Sequence, residues 1–119
     1  MESILNSVKK QIGITNDYTH FDADIIMHIN TIFVVLTQLG IGPETGFVIH
    51  DDSTLWSEFI PEDHWFFSAL KTYMGCRVKL IFDPPISGAH KEALERTINE
   101  LEYRLYLAVE ENKSSKEVE

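Results

Sequence analysis

Five histidines, His20, His28, His50, His64 and His90, and one cysteine, Cys76, are the side chains best able to do chemistry in this chain. None of the histidines stands four residues from another on a helix, as a helical zinc pair requires, and Cys76 has no second thiol to join it. No metal site is expected. Asp22-Ala-Asp24 has the start of a calcium loop, but Met27 stands where the sharp turn needs glycine, so helix capping is the better reading. The clusters His50-Asp51-Asp52 and Glu62-Asp63-His64 hold groups for proton transfer. Acids at helix starts explain both without catalysis. Cys76 lies beside Arg77 and close to Lys79, which could lower its pKa, yet it falls on an apolar arc where a thiol is usually an inert packing group. Gly40-Ile41-Gly42-Pro43 follows a helix and does not join a strand to a helix, so it is no phosphate loop. No catalytic residue, cofactor or metal is assigned.

The elements that must position these residues are read from apolar periodicity. Ile4, Leu5, Val8 and Ile12 define a short first helix, with Lys9 and Lys10 near its cation-favouring end and Gly13 as a C-cap. Asp22 and Asp24 open a second helix that stops at Gly40, with Ile25, Ile26, Ile29, Ile32, Phe33, Leu36 and Leu39 on its core face. Its other face carries Met27, Thr31, Val34, Val35 and Gln38, and no charged residue occurs between Asp24 and Glu44. A water-exposed face normally carries charge, so this one is expected to be covered, by another helix of the chain or by a neighbouring subunit. His28, Asn30, Thr31, Thr37 and Gln38 make it too polar for a membrane span.

Gly46 to Ile49 reads as a short hairpin or extended arm, followed by a helical turn holding Trp56 and Phe59 that Asp52 or Ser53 can cap. A third long helix is expected over 61–82, with Trp65, Phe66, Phe67, Leu70, Tyr73, Met74, Val78 and Ile81 on its apolar side and Arg77 inside that arc. Arg77 then needs a carboxylate, from the same chain or across a subunit boundary. The concentration of Trp56, Phe59, Trp65, Phe66 and Phe67 is either core or an anchor for a partner, with Trp56 and Phe59 the anchor candidates. Asp83-Pro84-Pro85 ends the helix, and Ser87 caps a last one to about Glu110 with a stripe of Leu94, Ile98, Leu101, Leu105, Ala108 and Val109. The fold class is mainly α, a small bundle of about four helices with a short extended loop or hairpin between the second and third. Residues 1–111 form the domain and 112–119 a flexible charged tail.

The chain has 119 residues, the size of one domain. Ten Lys and Arg against 19 Asp and Glu give a net charge of -9, which opposes sequence-independent binding to phosphate backbones. The lone cysteine and a start, MESILNSVKKQ, without an apolar run or cleavage site lead to the expectation of a reducing, cytoplasmic origin.

The segments Asp24-Ile-Ile-Met-His-Ile-Asn30, Gln38-Leu-Gly-Ile-Gly-Pro43, Gly46-Phe47 with Trp56 and Phe59, Lys71-Thr-Tyr73 and Phe82-Asp-Pro-Pro85 resemble, in order and wording, the head-tail connector or adaptor proteins of tailed phages and prophages of Firmicutes. The resemblance implies a non-enzymatic virion protein that forms a ring, a dodecamer in many members, under the portal at the head-tail junction, after assembly in the host cytoplasm. It implies as partners the portal protein, a tail-proximal neck or tail-completion protein and further copies of itself, with DNA only passing through the channel and no membrane. By position it assigns Thr31, Val34, Val35, Gln38 and Arg77 to subunit packing. Tyr103, Tyr106, Leu107, Glu110 and Lys113 fall to portal docking, and Phe47, Ile49, Trp56 and Phe59 to a neighbour or the next ring. The competing reading is a small acidic regulatory protein that dimerises, and behind it a small enzyme with a deep pocket near His50, His64 or Cys76.

Overall fold

A computed structural model describes residues 2–118, with side chains as far as Glu111. Five helices follow one another: α1 (Ile4–Gln11), α2 (Asp22–Leu39), α3 (Trp56–Phe59), α4 (Phe67–Phe82) and α5 (Gly88–Val118). No strand forms among the described residues, so the chain is a small helical bundle. The two middle helices, α2 and α4, pack on each other, and each also contacts α1 and α5. At about 1.5 Å per residue α5 runs roughly the length of the 49 Å long axis of the molecule.

The periodicities locate the core. Ile4, Leu5, Val8 and Ile12 of the first segment are buried, as are Ile25, Ile29, Ile32, Phe33 and Leu36 of α2, with Ile26 and Leu39 at the margin. Gly40 ends α2 in the left-handed conformation (φ 93°), and its N–H and that of Ile41 return to the carbonyls of Thr37 and Leu36. Asp83 ends α4 ahead of Pro84.

Three boundaries differ from expectation. The third long helix begins at Phe67, because residues 61–66 make two successive turns, closed by His64 N–H to Pro61 O and Phe67 N–H to His64 O. Trp65 therefore leaves the apolar arc and is 74% exposed. Before α3 the cap comes from the far side: Asp51 accepts from Ser53, and the Leu55 N–H is satisfied by the Glu58 carboxylate at 2.7 Å. Of the two readings of the 46–50 segment the extended arm is the one formed, held by the Asn30 side chain, whose amide accepts from Ile49 N–H (2.8 Å) and donates to Ile49 O (3.0 Å). Finally α5 continues to Val118, well past Glu110, where the apolar stripe ends.

The N-terminal residues pin α3 in place. Ser3 and Leu55 form an isolated antiparallel bridge, flanked by Ile4 N–H to Thr54 O and Trp56 N–H to Glu2 O, both 3.0 Å. Trp56 then reaches across α1, where its indole N–H donates to Ser7 Oγ at 2.7 Å and that hydroxyl donates to Ile4 O. A buried polar pair is thus closed on itself.

Lys9 is the position whose role periodicity misses. It is fully buried, and its ammonium meets Asp22 Oδ1 at 2.8 Å, Tyr18 O at 2.8 Å and Asn16 O at 3.2 Å. One cation thereby ties the last turn of α1, the 13–21 loop and the first residue of α2. The three oxygens replace the hydration that burial removes.

Candidate docking surfaces

The residues with chemical potential are dispersed. His50 and His90 are exposed on separate segments, His20 packs edge-on against Phe21, and His28 lies near Phe82. His64 sits against the Phe66 ring, centroids 4.1 Å apart, and borders a cavity of about 190 Å³ whose remaining lining is glycine, apolar and aromatic. No carboxylate faces it there. Burial pushes the Cys76 thiol up from its ordinary range, away from the reactive thiolate, and Asp51 is held low by the Ser53 bonds of its own turn. Among the described residues no three His, Cys, Asp or Glu side chains are grouped to hold a metal. Apart from the separate exposed side chains Tyr18, Ile81 and Ile86, the large apolar groups on the surface gather in two places.

The first is the outer face of α2. Met27, Thr31, Val34 and Gln38 follow at helical spacing and all are exposed, Val34 at 58%, while Val35 is half-buried at the edge. Among the described residues no other helix covers this face. It continues into a groove of about 380 Å³ shared with Thr45, Gly46, Phe47 and Val48, where Val48 is also exposed. Thr37 lines this groove, but its hydroxyl oxygen is buried, with no hydrogen-bond partner among the described residues. By length and composition alone α2 could pass for a membrane span, but its Ile25 to Leu36 side is the core of the bundle.

The second place is the outer face of α5. Tyr103, Tyr106 and Leu107 are exposed, and Glu110 continues the same stripe, opposite the buried Ile98, Leu105 and Ala108. The Lys113 side chain lies outside the described residues. Beside this stripe a groove of about 260 Å³ opens between α5 and Trp65, with Phe66, Ala69 and Ala108 at its base and Arg104 and Glu111 at its rim. Trp65 is the surface aromatic that helix periodicity misses, since only the late start of α4 turns it outward.

Two expected contact groups have partners within the chain. Ile49, Trp56 and Phe59 are buried and Phe47 half-buried, in an aromatic cluster with Phe33; its closest pairs are Phe33–Phe59 (4.7 Å) and Phe47–Phe59 (5.1 Å). The core reading of these rings holds, and of this stretch only Val48 offers an apolar side chain outward. Arg77 finds its partners in its own chain: Nη1 donates to Tyr73 Oη at 2.9 Å and lies 3.9 Å from Glu102 on α5. Burial in turn raises the Tyr73 pKa, with Arg77 opposing it. Within the chain, the α4–α5 seam supplies both of these partners of Arg77.

A family model described as "Phage connector protein" matches residues 4–112, nearly the whole chain. No curated protein and no solved structure gives a match.

Proposed function

This chain belongs to the phage connector family, and we propose that it is one subunit of the ring that joins the portal of the filled capsid to the tail. The coarse role follows from the family: a structural virion component that associates with capsid or tail proteins, in a family that is structural and not typically enzymatic. The finer reading concerns which surfaces do the joining. The observation that carries it is the uncovered, uncharged outer face of α2, with Met27, Thr31, Val34 and Gln38. An apolar strip of this kind on a domain this small is a contact surface.

In this reading α2 packs each subunit on the next. The α5 face, with Tyr103, Tyr106, Leu107, Glu110 and Lys113, docks on the portal. Val48 and its groove face the tail-proximal neck or tail-completion protein. The ring is a dodecamer at the head-tail junction of a phage or prophage of Firmicutes, assembled in the host cytoplasm. An acidic subunit suits a channel wall, because a surface of net charge -9 does not hold passing phosphates.

Val34→Glu tests the assignment. The side chain is mostly exposed, so the free subunit keeps its fold, whereas an ionised carboxylate buried without a partner in an interface costs several kcal/mol. Native mass measurement on portal rings is expected to show wild-type subunits in many copies and Val34→Glu in few or none. Equal loading by the two proteins would remove α2 from the subunit contact.

A further inference from the structure

The way Asn30 holds Ile49 has a consequence for the residues on either side. One side-chain amide bonds both the N–H and the C=O of Ile49, so these two groups point the same way, which places Ile49 in the extended conformation. The chain has no cis peptide, and in a trans peptide C=O and N–H point oppositely. The Val48 carbonyl and the His50 N–H must therefore point away from α2. Neither has a hydrogen-bond partner among the described residues. An acceptor and a donor that flank one extended residue are what a strand needs to receive a second strand.

We propose that residues 48–50 are a docking edge that takes up an extended segment of another virion protein by strand addition. The groove beside the edge, lined by Thr45, Gly46, Phe47 and Val48, accepts an apolar side chain from that segment. Exposed Glu44 stands before the edge and exposed Asp51 and Asp52 directly after it. The occupant is thus an extended peptide with apolar residues at alternate positions and lysine or arginine at its ends. A second copy of this chain supplies no such peptide from its loops, because its lysines and arginines lie on α1, α4 and α5. That the source is a virion protein rests on the connector reading; the edge itself does not.

The probe is a short synthetic peptide of alternating valine and threonine with lysine at both ends, fluorescently labelled and titrated with the full chain. Binding is expected for wild type and for His50→Ala, to weaken with added salt, and to weaken at least tenfold for Val48→Asp. His50→Pro, which deletes the outward N–H, is expected to bind at least tenfold more weakly while melting like wild type. If that variant does not fold, a peptide N-methylated at alternate amides reports the same hydrogen bonds from the other side and is expected not to bind. Equal binding of the N-methylated peptide, equal binding of a folded His50→Pro, or no binding of the probe at all overturns the proposal. Self-association of the chain that the probe competes away also overturns it, in favour of a second copy. Peptide binding makes no use of the portal, so failure here leaves the ring reading standing, and failure of portal recruitment leaves the edge standing.

Discussion

Replacing Lys9 by methionine keeps the length and apolar stem of the side chain and deletes one buried ammonium. What it leaves behind determines the cost. Asp22 loses its 2.8 Å partner, and the carbonyls of Asn16 and Tyr18 lose a donor. Removing one member of a buried ion pair costs about 3–5 kcal/mol, but the Asp22 side chain is 26% exposed, so water recovers part of its solvation. The better-packed methionine also spares the desolvation of a cation. The net loss expected is about 2–4 kcal/mol, a large share of the roughly 5–15 kcal/mol that holds a domain together. In a chain of this size that lowers Tm by on the order of 10 °C. Urea unfolding followed by the fluorescence of the two tryptophans, Trp56 and Trp65, reads the change. Lys10→Met, one residue on and exposed, is the control and is expected to stay within about 0.5 kcal/mol of wild type. A Lys9→Met protein within about 1 kcal/mol of wild type would refute the view that this cation fixes the entry to α2.

Two further outcomes follow from packing. Gly42 has φ 83° and its missing Cβ would run into the Phe59 ring, whereas Gly46 has φ 93° and open space; Gly42→Ala is therefore expected to cost about 2–4 kcal/mol and Gly46→Ala about 1–2 kcal/mol in the same unfolding experiment. Equal costs would show that the clash is relieved by movement of the ring. Cys76, its thiol pKa raised by burial, is expected to react with a disulfide reagent at pH 8 many-fold more slowly than in the unfolded chain; equal rates would contradict its packing role.

Much of the bundle is legible from spacing. The core faces of α1, α2 and α5 follow from apolar residues three and four apart, and Gly40 and Asp83-Pro84 stop their helices for reasons intrinsic to glycine and proline. What periodicity cannot supply is tertiary partnering. Lys9 looks like a cation at a helix end until the 13–21 loop folds its carbonyls and Asp22 over it. Trp56 and Phe59, in a short turn outside the long helices, look available to a partner until Ser3 and Leu55 pair and draw them onto Phe33. Trp65 fits the apolar arc of a helix that starts at Pro61, and is turned outward only because two tight turns delay that start. The bare face of α2 is legible as a stretch without charge, although only the packing shows that no helix among the described residues covers it.

Assembly of this connector subunit on a portal is read from the mass of the purified protein, alone and then with portal rings of the same phage. A large closed ring, or a monomer that loads onto the portal in many copies, is expected. A stable dimer that ignores portals would contradict it and would favour a small acidic regulator.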